Sequence, residues 1–252
     1  MLTDVHAHIC DPVFDDDRGE VLKRAREACI SSIIAVAETL NDSLKNLKLA
    51  EKHPEILPAA GLYPTILDID QASSIENLIR DNQRRFVAIG EVGLDYWKVQ
   101  DEDNRAIQRE IFNRFIELGR KLDIPLNIHS RSAGHYVIDM LLEAGVKRAL
   151  LHAFDGKAST TMPAVEEGYY FSIPPSVIRS RQKQKLVKKL PLKAILLETD
   201  SPVLGPASNQ RNEPANLTVA MKAVAELKGI PEDEVKEVVI ENCNRLFETH
   251  SG

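Results

Sequence analysis

Long apolar runs are missing from this chain. No stretch approaches the roughly 20 residues that a helix needs to cross a bilayer, which excludes a helical membrane span. The first residues carry no basic segment leading into an apolar one, so no export signal is expected. Cysteine is scarce: Cys10, Cys29 and Cys243 are an odd set of three. A disulfide framework is therefore improbable, and a reducing cytoplasm is the expected compartment. Excess positive charge is lacking too. A net charge of -6 argues against a protein that coats nucleic acid nonspecifically. Any polyanionic substrate must be met by local positive charge. Linkers and low-complexity segments are also absent, so the 252 residues are expected to form one domain with a sizeable core. With 43% hydrophobic and 28% charged residues, the composition is that of an ordinary soluble globular protein.

What is present begins at Thr3-Asp-Val-His-Ala-His8. The run from Leu2 to Ile9 is rich in apolar residues and stops at Cys10-Asp11-Pro12, which reads as a short buried strand. Side chains two apart on a strand share a face, so His6 and His8 point the same way. Two adjacent buried imidazoles need partners for four ring nitrogens, and a divalent metal satisfies two of them at once. Hydrogen-bonded core histidines explain this motif equally well when it is taken alone.

A regular alternation follows. Arg18 to Ile30 has helical spacing with Val21, Leu22, Ala25, Ala28 and Cys29 on one apolar face, so Cys29 is expected in the core. Buried strands are read at 31–37, 56–63, 85–90, 125–128, 148–153, 169–173 and 193–199. Helices are read at 41–52, 74–82, 108–122, 136–144, 158–167, 182–189, 217–228 and 231–247. Eight apolar strands, each followed by a helix, describe strands buried on both faces. That count in this length matches a (β/α)8 TIM barrel, with a doubly wound open sheet as the alternative. The chemistry of such a barrel sits at the C-terminal strand ends.

Those ends carry His6 and His8 on strand one, Glu91 on four, His129 on five, His152 on six and Asp200 on eight. All are nitrogen or oxygen ligand types, and a barrel gathers them at one mouth. Four histidines and two carboxylates exceed the needs of one open catalytic metal. They suit two divalent ions about 3.5–4 Å apart, bridged by a carboxylate. Glu198 shares a face with Asp200, and Asn127 with His129, so each is placed to fix a ligand by hydrogen bonding. Cys10 has the parity of His8 but lies where the strand is expected to have ended. His53, His135 and His250 fall on helical or terminal segments away from the mouth.

The chain resembles the TatD family of metal-dependent nucleases, within the amidohydrolase superfamily of barrels. The segments that carry the resemblance are Asp4-Val-His6-Ala-His8, Gly90-Glu91-Val-Gly93-Leu94-Asp95-Tyr96, Asn127-Ile-His129-Ser130-Arg131, His152-Ala-Phe154 and Glu198-Thr199-Asp200-Ser201-Pro202. The Asn242 to Phe247 ending resembles the family as well. Arg131-Ser-Ala-Gly134, Ser172-Ile-Pro-Pro175 and Arg211-Asn-Glu-Pro214 are similar to one subgroup also found in eukaryotes. By this resemblance His6, His8 and Asp200 hold one ion and His129 and His152 the other, with Glu91 between. The implied activity is exonuclease-type cleavage of DNA phosphodiesters with magnesium, manganese or zinc. Single-stranded DNA or strand ends are the implied partner, and a monomer is expected.

Further assignments follow. Asp200 is the expected base for the attacking water, with a plain ligand as the alternative role. Arg131, two residues beyond His129, should face the mouth and either clamp a phosphate or form a rim salt bridge. Arg179, Arg181, Lys183, Lys185, Lys188 and Lys189 form a basic run after strand seven, either a phosphate-binding face or a solvated helix surface. Arg211, Asn212 and Glu213 lie in the loop after strand eight, where the family match suggests substrate binding. Tyr96 and Trp97 suit either base stacking or core packing, and Asp95 is expected to orient substrate or a water. One departure stands out: the family's Gly-x-His-Pro after strand three is here Gly61-Leu62-Tyr63-Pro64. With an ordinary pKa near 10, Tyr63 donates a hydrogen bond but is a poor proton donor at neutral pH. Hydrolysis of a small ester, lactone, cyclic amide or phosphoester, and a non-catalytic binding module, are the competing functions. Glu91 at the bridging position disfavours relatives that bridge with a carboxylated lysine.

Overall fold

The computed structural model describes residues 1–247, so His250 lies outside the described residues. Its strands follow the apolar runs: β1 (Leu2–Ala7), β2 (Ile30–Ala35), β3 (Ile56–Ala60), β4 (Ala88–Gly93), β5 (Leu126–His129), β6 (Ala149–Leu151), β7 (Tyr170–Ile173) and β8 (Ile195–Leu197). They form one sheet in sequential order, every neighbouring pair parallel. At the seam between β8 and β1, Asp200 N donates to His6 O at 2.9 Å and His8 N donates to Ser201 O at 2.8 Å. The fold is a (β/α)8 barrel, and the closing bonds are made by the site residues themselves.

Helices α1 (Arg18–Glu27), α2 (Leu40–Lys52), α3 (Ile69–Asp81), α4 (Glu102–Leu122), α5 (Gly134–Glu143), α6 (Met162–Glu166), α7 (Arg181–Lys189), α8 (Leu217–Lys228) and α9 (Glu232–Phe247) complete the chain. Side-chain caps set several starts: Thr39, Asp68, Asp101 and Ser180 each accept from the backbone N–H three residues on. Each cap contributes about 1 kcal/mol. These caps start α3 and α4 several residues before their apolar periodicity becomes regular. Among the described residues no helix is long and apolar enough to cross a membrane.

Two layers of core support the mouth. Outside the sheet, the large cluster joins strand residues such as Ile128, Leu151, Phe171 and Leu197 to helix residues such as Phe112, Phe115, Leu141 and Val224. A smaller cluster includes Ile34, Ala59, Ala88, Leu150 and Leu196 together with Leu246 of α9. Leu150 and Leu196 stand two residues before His152 and Glu198, on the same strand face. An apolar layer therefore lies directly beneath the polar one.

Several expectations need correction. Cys29 is exposed, not buried; it follows α1 with φ 63°, so the left-handed turn takes it off the apolar face. The 158–167 helix is a 3-10 turn over Ala158–Thr161 followed by the single turn of α6, because Pro163 admits only a first-turn position. The eighth strand is shorter than 193–199, since Leu192–Ala194 coil into a 3-10 turn after Pro191. The fourth runs on to Gly93 and carries Glu91 within it.

Candidate metal centre

The six expected ligand residues meet at the mouth. His6 Nε2 and His8 Nε2 lie 3.5 and 3.4 Å from Asp200 Oδ1. Glu91 Oε1 lies 2.6 Å from His129 Nδ1 and 2.8 Å from His152 Nε2, and those two nitrogens are 3.2 Å apart. The other Glu91 oxygen faces the first pair, 3.5 Å from His8 Nε2 and 3.8 Å from His6 Nε2. Glu91 thus stands between the two groups. Donor atoms within 4.8 Å of one another also unite His6, His8 and Asp200; His6, Glu91 and His152; and His8, Glu38 and Glu91.

Neighbouring side chains fix how each ligand points. Asn127 Nδ2 donates to Val5 O at 2.8 Å, so its Oδ1, 2.8 Å from His6 Nδ1, must be the acceptor. His6 therefore carries its proton on Nδ1 and turns the Nε2 lone pair towards Asp200 and Glu91. That Nε2 is fully buried and has no hydrogen-bond partner. Asp95 performs the same service for His129: Oδ2 lies 3.2 Å from Nε2, while Oδ1 accepts from Trp97 N and Lys98 N. Behind His152, Glu198 Oε2 lies 3.6 Å from Nδ1, and Glu198 is itself held by Ala153 N and Ser172 Oγ. Carboxylates and amides behind histidine ligands are the usual device for setting ligand tautomer. Asp4 braces the segment that carries Asp200, accepting from Thr199 N at 2.9 Å and from the Thr199 hydroxyl. Asp200 itself sits at φ 53°, a backbone region costly for a non-glycine residue. The Asp200 N to His6 O bond helps to hold it there.

The charge balance demands a cation. Glu38, Glu91, Asp155 and Asp200 line a cavity of about 470 Å³ with only Arg131 and Lys183 as fixed positive charges. Burial and neighbouring His152 press His6 down to about 3, keeping it neutral. Burial opposes protonation of His8 as well, but the Asp200 hydrogen bond and Glu91 outweigh it and push His8 up to about 9. Burial likewise opposes the charge on Glu91, yet His152 and His129 hold its carboxyl well below the usual range. His152 is raised despite its burial, chiefly by Glu91. Protons on these histidines occupy the place of a metal in such a cluster. The orphaned His6 Nε2, the neutral His6 ring and the surplus of carboxylates all fit divalent cations.

The remaining assignments divide. Arg131 and Tyr63 line the cavity. The Arg131 guanidinium sits 3.8 Å over the ring centroid of half-exposed Trp97, the only tryptophan. Tyr96 is buried under Arg105 and accepts from Arg109, so it packs rather than stacks on substrate. Asp95 is fully buried behind His129 and does not line the cavity. Nor do Arg211, Asn212 and Glu213, whose side chains are engaged elsewhere. Arg211 pairs with Asp17, Glu213 with Arg24, and Asn212 Nδ2 donates to Thr199 O and Val203 O. Of the basic run after β7, Lys183 alone reaches the cavity. Cys10 belongs to none of the metal-capable groups among the described residues, because β1 ends at Ala7. Glu38, missed in the sequence, lines the mouth three residues beyond the end of β2. Its position just past a strand end was the available signal.

A parallel eight-stranded barrel with histidines and carboxylates converging at its C-terminal mouth defines a metal-dependent hydrolase. Comparison with known proteins makes the class specific. The family model described as TatD related DNase matches residues 3–248. Human deoxyribonuclease TATDN3 is 43% identical over 261 residues, covering 98% of this chain and 94% of that protein. An uncharacterized metal-dependent hydrolase of Methanocaldococcus jannaschii, MJ1582, is 31% identical, covering 97% and 96%. The crystal structure of YjjV, a TatD homolog from Escherichia coli K12, superposes with a TM-score of 0.91 at 26% identity, covering 98% of each chain. The chain belongs to the TatD related DNase family and is a hydrolytic enzyme.

Proposed function

We propose that this protein is a cytoplasmic two-metal deoxyribonuclease, working as a monomer on single-stranded DNA or strand ends. The observation that carries the reading is the donor cluster at the barrel mouth, in which His6, neutral and with its Nε2 orphaned, belongs to two of the three metal-capable groups found among the described residues. His6, His8 and Asp200 would hold one ion and His129 and His152 the other, with Glu91 shared. When bound, such ions lower the pKa of an attacking water towards 7 and neutralise charge growing on phosphate oxygens.

The chain supplies the rest. Asp200 lines the cavity and takes the proton of the attacking water at Oδ1 or Oδ2. Asn127, Asp95 and Glu198 hold the three imidazoles in register, so no reorganisation accompanies the reaction. Tyr63 is kept protonated by burial and by Glu91, both of which raise its pKa, so its hydroxyl donates a hydrogen bond to the departing oxygen. Arg131, steadied on Trp97, clamps a phosphate at the lip. Arg211, Asn212 and Glu213 brace the loop after Asp200. A cavity of about 470 Å³ at the barrel mouth is of the size that takes one nucleotide unit, which is consistent with strand ends as substrate. All six residues proposed to hold the ions come from one chain, which is consistent with a monomer.

The test is incubation of metal-loaded protein with labelled single-stranded and duplex DNA, with and without chelator. Stepwise shortening from one end, abolished by chelator and by Asp200→Asn, is expected. Retained cleavage in Asp200→Asn overturns the base assignment, and inactivity on both DNAs overturns the substrate.

A further inference from the structure

Lys183 is out of character for its helix. Ser180 caps α7 and fixes its register, with Lys183 N donating to Ser180 Oγ. Arg181, Lys185, Lys188 and Lys189 of the same helix are exposed, but Lys183 turns inward and is only 8% exposed. Its Nζ donates to Ala153 O at 2.8 Å, which uses one of three donors. Among the described residues no carboxylate comes within ion-pair reach of it, although Asp155 and Asp200 line the same cavity. Asp155 turns both oxygens to Ser132 N, at 3.1 Å each, and makes no direct ion pair with Lys183. Glu198, Asp200 and Asp155 act on the ammonium through space but make no direct ion pair with it, and a buried charge whose donors are unfilled is costly. Burial accordingly draws the Lys183 pKa below the ordinary lysine value.

Ser130 supplies an independent observation. It follows the ligand His129, is 3% exposed, lines the same cavity, and its Oγ has no hydrogen-bond partner. Ser130, Ala153 and Lys183 stand after β5, β6 and β7, three consecutive strands of the barrel. His8, Glu38 and Tyr63, after β1, β2 and β3, line the other sector. One sector thus presents a spare ammonium and a spare hydroxyl beside the metal ligands. Both line one cavity, and an oxyanion lying between them would take a hydrogen bond from each.

We infer that Lys183 and Ser130 form an oxyanion subsite that grips a non-bridging oxygen of a substrate phosphate beside the metal centre. The inference rests on the phosphodiesterase reading for its substrate but not for its test. Contact with Ala153 O makes Lys183 also a strut next to His152, and the experiment must separate the two roles.

Inorganic phosphate is titrated calorimetrically into metal-loaded wild-type protein, Lys183→Met, Lys183→Arg and Ser130→Ala. A hydrogen bond to a charged group contributes about 1.5–3 kcal/mol, or about 10- to 100-fold in affinity. Lys183→Met should weaken phosphate binding by that factor, Ser130→Ala by about 3- to 10-fold, and Lys183→Arg less than Lys183→Met. Cleavage of oligonucleotides with and without a 5′-phosphate then locates the oxygen. Loss of selectivity for the phosphorylated end in Lys183→Met marks a terminal phosphate; an equal fall in kcat/KM on both substrates marks the scissile one. Either result supports the subsite when phosphate affinity falls with it; an equal fall in kcat/KM with phosphate affinity unchanged marks a strut. Phosphate affinity unchanged in both Lys183→Met and Ser130→Ala overturns it and leaves Lys183 a strut, whatever happens to Tm. Absence of phosphate binding by the wild-type protein overturns it too. Should Lys183→Met fail to fold, Ser130→Ala decides alone, because its hydroxyl bonds to nothing and its loss leaves the fold intact. Inactivity of the wild type on DNA would sink the nuclease reading without touching these titrations.

Discussion

Replacing Asn127 by alanine should damage stability and metal affinity together, and the second effect is the informative one. Asn127 is fully buried and makes two 2.8 Å hydrogen bonds, to Val5 O and to His6 Nδ1. Asn127→Ala leaves both partners short of a bond in a site without room for bulk water. Each loss costs about 1–3 kcal/mol, giving roughly 2–6 kcal/mol in urea unfolding. Without its acceptor, the His6 Nδ1 proton no longer fixes the tautomer, and the ring is free to present N–H rather than lone pair to the ion. Removal of such a partner costs about 10- to 100-fold in metal affinity. Asn242→Ala is the matched control: Asn242 is equally buried and donates to Ile195 O at 2.8 Å and Leu192 O at 3.1 Å, far from the mouth. Calorimetric titration of manganese should show weakened binding in Asn127→Ala and wild-type affinity in Asn242→Ala, despite comparable loss of stability. Equal metal affinity in the two variants would refute the orienting role.

Other outcomes follow from the same geometry. His8 has a folded pKa of about 9 against an ordinary 6.5, so it holds a proton at neutral pH in the metal-free protein. Metal binding should release that proton, with affinity rising from pH 7 to 9, as titrations in buffers of different ionisation enthalpy will show. The sign for stability is opposite: a raised histidine contributes fully below pH 6.5 and loses its contribution as pH climbs through about 9. Metal-free Tm should therefore fall over that window, and less steeply in His8→Gln. Tyr63→Phe should lower kcat by about tenfold, the typical worth of one transition-state hydrogen bond, while manganese affinity stays unchanged; an unaltered kcat removes Tyr63 from the reaction. Gly93→Ala should cost more than about 3 kcal/mol or abolish folding. At φ 144° its Cβ would stand 2.0 Å from His129 O, a clash that soluble expression and urea unfolding will report.

The barrel and the gathering of His6, His8, Glu91, His129, His152 and Asp200 at its mouth are legible in the sequence because both obey periodic rules. Apolar runs separated by amphipathic stretches give the strands, and a parallel barrel places whatever follows each strand at one mouth. What escaped obeys rules of contact instead. Lys183 looks like one cation among many in a basic helix, and nothing short of the Ser180 cap and the packing of α7 distinguishes it from its exposed neighbours. Arg211 and Glu213 look poised for substrate, but their partners Asp17 and Arg24 lie about 190 residues away in the chain. Asp95, four residues from Glu91, is expected to orient substrate or a water; the turn that lets Trp97 N and Lys98 N bind it places it behind His129. Cys29 shows a single left-handed residue cancelling a helical pattern. Glu38 was within reach of the strand-end rule, since β2 stops at Ala35 and Glu38 lines the mouth just beyond.

Anomalous diffraction at the manganese edge, from crystals grown with that ion, tests the central claim most directly. Two peaks per chain are predicted at the barrel mouth. One should lie against His6, His8 and Asp200, the other against His129 and His152, with Glu91 touching both. A single peak, or density away from these side chains, would contradict the account.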